Sequence, residues 1–286
     1  MPILSPEVAL DTRDQLVRDG YCVIPGVLDE GLLERWTAFS NNILDGTPSN
    51  PDTKYQGSDF HINSRRRNLR GDMHAPHLGL WSPLVDELVD LPAADDACSA
   101  IGIEGRQSDD TVLILSKPAH GPALYWHQDF MEWDHPKASL PWPTRIFLSY
   151  YLVDTNVENG CLRAIPGTHR KRIPLHDILP PAHGPEIQQL DTSHPVFADH
   201  PDAVDLPVKA GDLVINDARL LHAAHPNRSN SRRTLLLQWH HVFPWPSVPS
   251  WWTGPVPEVI ERAAEFGEYE LTRVPGKYLG AEGAAV

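Results

Sequence analysis

Arg233-Thr234-Leu235-Leu236-Leu237-Gln238-Trp239-His240 is the run on which the fold reading turns. In an extended chain successive side chains alternate between two faces, so Arg233, Leu235, Leu237 and Trp239 share one side. Apolar or β-branched runs of the same kind stand at 111–117, 145–153, 161–165 and 212–216, with Gly, Pro and Asn in the connections. Short strands at such spacing predict an antiparallel sandwich or barrel.

Ahead of this β-rich part the pattern is helical. Ser5 and Pro6 open a helix over 5–19 and Gly20 closes it. Residues 21–24 read as a short strand, and a second helix covers about 29–44. Leu32, Leu33, Trp36, Phe39 and Ile43 fall on one face of that helix, as a core-packing stripe does. Ser82-Pro83 starts a further helix over 82–91. Residues 45–75 are polar and aperiodic and read as a solvated loop. Their cluster Arg65, Arg66, Arg67 and Arg70 also suits a lid that draws in an anion. The proline-rich stretch 174–207 reads as one long insertion between strands, and 255–266 as a last helix. The expectation is a single domain, with a helical part at about 1–105, a β core at about 106–245 and a tail at 246–286.

Composition narrows the function. Hydrophobic residues make up 41% of the 286, enough for a sizeable core, and the net charge of −14 disfavours a nucleic-acid partner. Cys22, Cys98 and Cys161 are too few and too far apart for a disulfide framework or a CxxC metal site, which suits a reducing interior. The N-terminus lacks the pattern of a signal peptide, and no run approaches 18 apolar residues. A cytoplasmic location is the expectation.

His127-Gln128-Asp129 follows the run Ala123-Leu124-Tyr125-Trp126. Residues two apart on a strand face one way, so His127 and Asp129 can grip one ion. The third ligand must come from elsewhere, and His222 is the best candidate. Two histidines and one carboxylate on a face make the triad of non-haem iron(II) oxygenases, with positions left open for a co-substrate and O2. An HxD triplet also arises by chance among 15 histidines. Two further blocks therefore matter. Asn159-Gly160-Cys161-Leu162 with Pro166-Gly167-Thr168-His169 reads as turn, strand and turn, with His169 structural. His222-Ala223-Ala224-His225-Pro226-Asn227 leads to Arg233, whose fork suits a carboxylate.

Together these residues resemble the phytanoyl-CoA dioxygenase family of iron(II)- and 2-oxoglutarate-dependent oxygenases. The likeness begins at Asp19-Gly20-Tyr21-Cys22-Val23-Ile24-Pro25-Gly26 and takes in Ser116-Lys117-Pro118, His127-Gln128-Asp129, both turn blocks and the stretch from His222 to Arg233. It implies a double-stranded β-helix, the jelly-roll barrel of cupin-like enzymes. It implies iron on His127, Asp129 and His222, with 2-oxoglutarate held at its distal carboxylate by Arg233. Leu113 and Ser149 fall where the family places other co-substrate contacts. Two positions depart from the pattern: Ala224 replaces a common hydroxyl residue, and Ser149 a common aromatic one. Asp129 disfavours halogenation, since related halogenases lack that carboxylate.

The implied reaction is oxidation of a small-molecule substrate, most simply a hydroxylation with release of succinate and CO2. Desaturation and ring formation are alternatives on the same centre. Trp126, Phe130 and Trp133 flank the ligand strand, and Leu237 and Trp239 share parity with Arg233, so all five are candidate substrate contacts. For each, packing in the barrel core is the competing reading. Two other classes compete with the oxygenase: a non-catalytic metal- or ligand-binding barrel, and a zinc hydrolase in which Arg233 has no purpose. Neither substrate identity nor oligomeric state can be read from the sequence.

Overall fold

The computed structural model describes residues 3–46, 58–63, 83–130, 143–180 and 182–242. Helix α1 (Pro6–Asp19) begins where the Ser5 hydroxyl accepts from the Val8 amide. It ends at Gly20, whose φ of 86° lets its N–H return to the Leu16 carbonyl at 2.9 Å. Helix α2 (Glu30–Asp45) is capped by Asp29, which accepts from Leu32 N–H at 2.7 Å. Of its predicted stripe, Leu32 and Trp36 are buried, and Leu33, Phe39 and Ile43 pack around them half-buried. Helix α3 (Pro83–Val89) was expected from Ser82-Pro83. Helix α4 (Pro92–Ala100) was not expected.

In chain order the strands are β1 (Tyr21–Ile24), β2 (Ser58–Asn63), β3 (Gln107–Lys117), β4 (Leu124–His127), β5 (Arg145–Tyr151), β6 (Leu162–Ala164), β7 (Val204–Leu206), β8 (Leu213–Asp217), β9 (His222–Ala224) and β10 (Arg233–His241). They build two antiparallel sheets, ordered β1-β8-β5-β10-β3-β2 and β4-β9-β6-β7. This is the jelly-roll barrel that the resemblance implies. One expectation is corrected. Within the stretch read as a loop, 58–63 forms β2, an edge strand paired to β3 from Ser58↔Ser116 to Asn63↔Thr111. Two apolar residues in alternation, Phe60 and Ile62, are too few to register as a strand period. The arginines at 65–70 and the tail helix expected at 255–266 lie outside the described residues.

The larger sheet is buried on both sides. Its outer face carries Val112, Ile114, Ile146, Leu148, Tyr150, Leu213, Ile215 and Leu236 against the helices. Its inner face carries Leu113, Phe147, Tyr151, Val214, Leu235 and Leu237. Each such side chain removed from water contributes roughly 1.5–3 kcal/mol. The strict alternation along β10 is what directs Arg233 inward, since it shares parity with Leu235 and Leu237.

Residues 165–203 run between β6 and β7 and contain three 3-10 turns, Pro174–Ile178, Pro185–Gln189 and Pro195–Phe197. This excursion, expected as an insertion, packs on the smaller sheet. Leu175 and Leu179 cover Trp126, while Ile187 and Val196 cover Tyr125.

Candidate metal centre

His127 closes β4, His222 opens β9, and the two are direct cross-strand partners. Their rings lie 4.2 Å apart between centroids. Asp129 follows two residues after His127 and is fixed by its backbone N–H, which donates to the Ala218 carbonyl at 3.0 Å. His127 Nε2 is 3.5 Å from Asp129 Oδ1, and His222 Nε2 is 3.4 Å from Oδ2. All three are buried, with 2%, 6% and 4% exposure for His127, Asp129 and His222.

Each histidine is oriented the same way. His127 Nδ1 is 2.9 Å from the Tyr125 carbonyl and His222 Nδ1 is 3.0 Å from the Leu220 carbonyl. A carbonyl only accepts, so Nδ1 carries a proton in both rings and Nε2 is the atom turned toward the carboxylate. His127 and His222 approach the two oxygens of one carboxylate, and two imidazoles with a carboxylate are the donor types that suit a divalent metal of the iron type.

The electrostatics agree. Burial pushes the Asp129 carboxyl up, but its interactions with His127, His183 and His222 overcome it and hold the group well below its ordinary range. Burial, reinforced by His222, drives His127 well down. Burial also lowers His222, but the hydrogen bond and charge of Asp129 win and raise it. One carboxylate is thus approached by three imidazoles.

The loop before His222 is built by residues that never reach the centre. Leu221 N–H donates to Thr168 Oγ1 at 3.1 Å, and Ile165 N–H to the Leu221 carbonyl at 3.0 Å. Asp217 and Arg219 form a buried ion pair at 2.6 Å beneath the same turn. His169 binds the Val17 carbonyl through Nε2 at 3.0 Å, so it is a structural residue, as its sequence context suggested.

Arg233 enters the barrel beside Lys117, its register partner on β3. It is 7% exposed, its Nε has no hydrogen-bond partner, and no carboxylate pairs with it among the described residues. Burial lowers its pKa, partly offset by Tyr151 and Cys161. Lys117 donates from Nζ to the Pro122 carbonyl at 2.7 Å, and burial together with Arg233 drives its pKa well down. A buried guanidinium left without an anion is a receptor for one. Leu113 and Ser149 flank Leu237 on the two neighbouring strands, so all three line the inner face in one row.

The aromatic candidates divide. Phe147 lies 5.3 Å from His222 and 5.2 Å from Trp239 between ring centroids, which brings Trp239 to the edge of the centre. Phe130 packs on Ala218 and Trp239 in the same region. Trp126 does not reach the donors. Strand alternation turns it to the opposite face from His127, where Nε1 donates to the Ala198 carbonyl at 2.9 Å and the ring packs on Ile165, Leu175 and Leu221. The substrate-contact expectation for Trp126 is therefore replaced by a core role. Trp133 lies outside the described residues.

Sequence reasoning missed His183. Its donor atom joins those of His127 and Asp129 within 4.8 Å, and its Nε2 is 2.9 Å from Asp129 Oδ1. Neither spacing nor periodicity marks it in the Pro-rich insertion. A second cluster, Cys161, Asp205 and His225, also falls within 4.8 Å. There Asp205 is bonded to His225 at 2.7 Å and approached by Arg163, and burial pushes the Cys161 thiol up to about 11.

The barrel interior thus gathers two histidines, a carboxylate and, among the described residues, an arginine with no carboxylate partner. The phytanoyl-CoA dioxygenase (PhyH) profile matches residues 16–235, and the chain belongs to that family. It is 27% identical over 195 residues to an ectoine dioxygenase of Bordetella parapertussis, covering 65% of this chain and 62% of that one. It is 32% identical over 159 residues to a phytanoyl-CoA dioxygenase domain-containing protein 1 homolog of Dictyostelium discoideum, covering 54% of each. The chain thus spans less than two thirds of these relatives' length. The epimerase SnoN, solved with Fe3+, alpha ketoglutarate and nogalamycin RO, superposes with a TM-score of 0.55 at 19% identity, over 88% of this chain and 94% of that one. No helix of the described residues is long and apolar enough to cross a membrane.

Proposed function

We propose that the chain is an iron(II)- and 2-oxoglutarate-dependent oxygenase that hydroxylates a small-molecule substrate. One observation carries this reading: two buried histidines, each locked through Nδ1 onto a carbonyl, aim their Nε2 atoms at a single ionised carboxylate. His127, Asp129 and His222 would hold the metal. Arg233 would take the distal carboxylate of 2-oxoglutarate, with Leu113, Ser149 and Leu237 forming the wall beside it. Iron(II) with bound 2-oxoglutarate supplies the oxidising chemistry, in which O2 is reduced as the keto acid becomes succinate and CO2 and the substrate gains a hydroxyl.

The chain's own contribution is orientation and exclusion of water. Phe147, Phe130 and Trp239 give the centre an apolar margin, suited to a substrate carbon rather than a hydrated ion. A net charge of −14 disfavours a nucleic-acid partner. Three buried free cysteines support a reducing compartment, and we place the protein in the cytoplasm as one domain.

The test is anaerobic incubation with iron(II) and 2-oxoglutarate, followed by visible absorption. A metal-to-ligand band is expected in the wild type, lost in His127→Ala and weakened in Arg233→Ala. Bound iron without the band means that 2-oxoglutarate does not chelate it, and a binding barrel or a zinc hydrolase then moves ahead.

A further inference from the structure

The insertion between β6 and β7 brings one more imidazole to the carboxylate of Asp129. His183 Nε2 lies 2.9 Å from Oδ1, the oxygen that faces His127. The other oxygen, Oδ2, is the one 3.4 Å from His222. A carboxylate oxygen accepts and an imidazole N–H donates, so at 2.9 Å the His183 Nε2 is the donor of this bond.

The residue is held there from several sides. Its backbone N–H donates to the Tyr125 hydroxyl at 2.6 Å. Its ring stands edge-on to His127, with centroids 5.0 Å apart, and edge-on to Tyr125 at 6.4 Å. Its φ of 56° is left-handed, a conformation few non-glycine residues adopt. Backbone in that region persists where the surroundings over-determine it, and such positions cluster at functional sites. The flanking turns are fastened too, with Ile187 and Val196 buried against Tyr125.

We infer that His183 is a positioning residue for the metal-binding carboxylate: it ties Oδ1 of Asp129 and makes the 165–203 excursion part of the metal centre. This rests on the functional reading above. A ligand role fits less well. His127 and His222 spend Nδ1 on carbonyls and hold Nε2 3.5 and 3.4 Å from the carboxylate, whereas the Nε2 of His183 is hydrogen-bonded to it at 2.9 Å. His183 is moreover the most exposed of the four, with 24% of its side chain accessible against 7% or less for the others. A donor at the rim that anchors the carboxylate is the arrangement by which outer groups fix ligand geometry.

The experiment is anaerobic titration of the full chain with iron(II) by calorimetry, using wild type, His183→Ala, His183→Gln and His222→Ala, with melting of each metal-free protein alongside. His183→Ala should bind one metal about 10- to 100-fold more weakly. Glutamine keeps an N–H donor, so His183→Gln should recover most of the affinity. His222→Ala should lose far more than His183→Ala. If His183→Ala binds as the wild type does, the inference falls and the functional reading stands. If His183→Ala and His222→Ala lose equally and glutamine rescues nothing, His183 is a ligand and the positioning role is wrong. A loss explained by unfolding of metal-free His183→Ala, with glutamine failing to restore the fold, also overturns it. A folded wild type that binds no metal overturns the functional reading and this inference together.

Discussion

Replacing Arg233 with methionine should strengthen the metal-free protein and disable it at once. The guanidinium is buried at 7% exposure, its Nε is unsatisfied, and the neighbouring Lys117 is a second cation. A charge moved out of water costs several kcal/mol unless paired, and replacing buried ionic groups by apolar ones of similar volume is often neutral or stabilising by about 1–4 kcal/mol. Methionine also relieves Lys117, whose ammonium is opposed first by burial and then by Arg233. We expect a gain of about 1–2 kcal/mol in the metal-free state, or roughly 2–8 °C in melting temperature for a chain of this size.

The same change should weaken 2-oxoglutarate. Losing one partner of a buried ion pair costs about 3–5 kcal/mol, which is two to four orders of magnitude in Kd. Ligand linkage turns this into a crossing. At a concentration about 100 times the wild-type Kd, 2-oxoglutarate stabilises the wild type by roughly 2.7 kcal/mol and the variant hardly at all. Calorimetric melting with metal present, with and without 2-oxoglutarate, therefore reads both terms. Arg233→Met should melt above the wild type without the co-substrate and below it with it. A variant that is less stable without 2-oxoglutarate, yet still stabilised by it like the wild type, would refute the reasoning and make Arg233 a structural residue.

Two further outcomes concern the loop that carries His222. Gly20 has φ 86°, and a Cβ there would stand 2.6 Å from His169 Nδ1 and 3.0 Å from Leu220 Cδ1, so Gly20→Ala should cost about 2–4 kcal/mol in denaturant unfolding. His169 is lowered from 6.5 to about 4, by burial first, with Arg219 adding to the effect and Asp217 opposing it. The unfolded chain then binds the extra proton between pH 6.5 and about 4, so stability falls as pH falls through that window, by about 3 kcal/mol in all. Urea titrations of metal-free wild type and His169→Gln should diverge in slope by up to about 1.4 kcal/mol per pH unit there. Parallel profiles would show that His169 titrates normally.

Strand alternation made most of the site readable in advance. Once β10 is a strand, the inward course of Arg233, Leu235, Leu237 and Trp239 follows from a period of two. His127 ends β4, so Asp129 lies beyond the strand and is held beside His127 by its N–H on the Ala218 carbonyl rather than by the strand period. The same rule turns Trp126 away from His127, so its nearness in sequence to the ligands was misleading. What stayed hidden has other causes. β2 depends on an available edge of β3 rather than on its own short pattern. α4 opens at Pro92 with no side-chain cap on Leu91, so its start carries little signal. His183 reaches Asp129 across 54 residues of chain through a turn with left-handed backbone, and no local spacing encodes such an approach.

The charge of the interior opposes that of the whole. The chain carries −14, yet among the described residues the inner face of the barrel places the guanidinium of Arg233 beside Lys117 with no carboxylate paired to it. Distant surface charges are screened within about 8–10 Å at ordinary salt, whereas a buried guanidinium is screened little. An anionic co-substrate is therefore disfavoured in the approach and favoured only on arrival, where it exchanges water for a pre-oriented fork. Selectivity for a dicarboxylate would follow from that contrast if Arg233 holds the co-substrate as proposed. One carboxylate alone meets either the metal centre or Arg233, but a keto acid with a second carboxylate at the right reach satisfies both and removes the desolvation cost that Arg233 imposes on the fold.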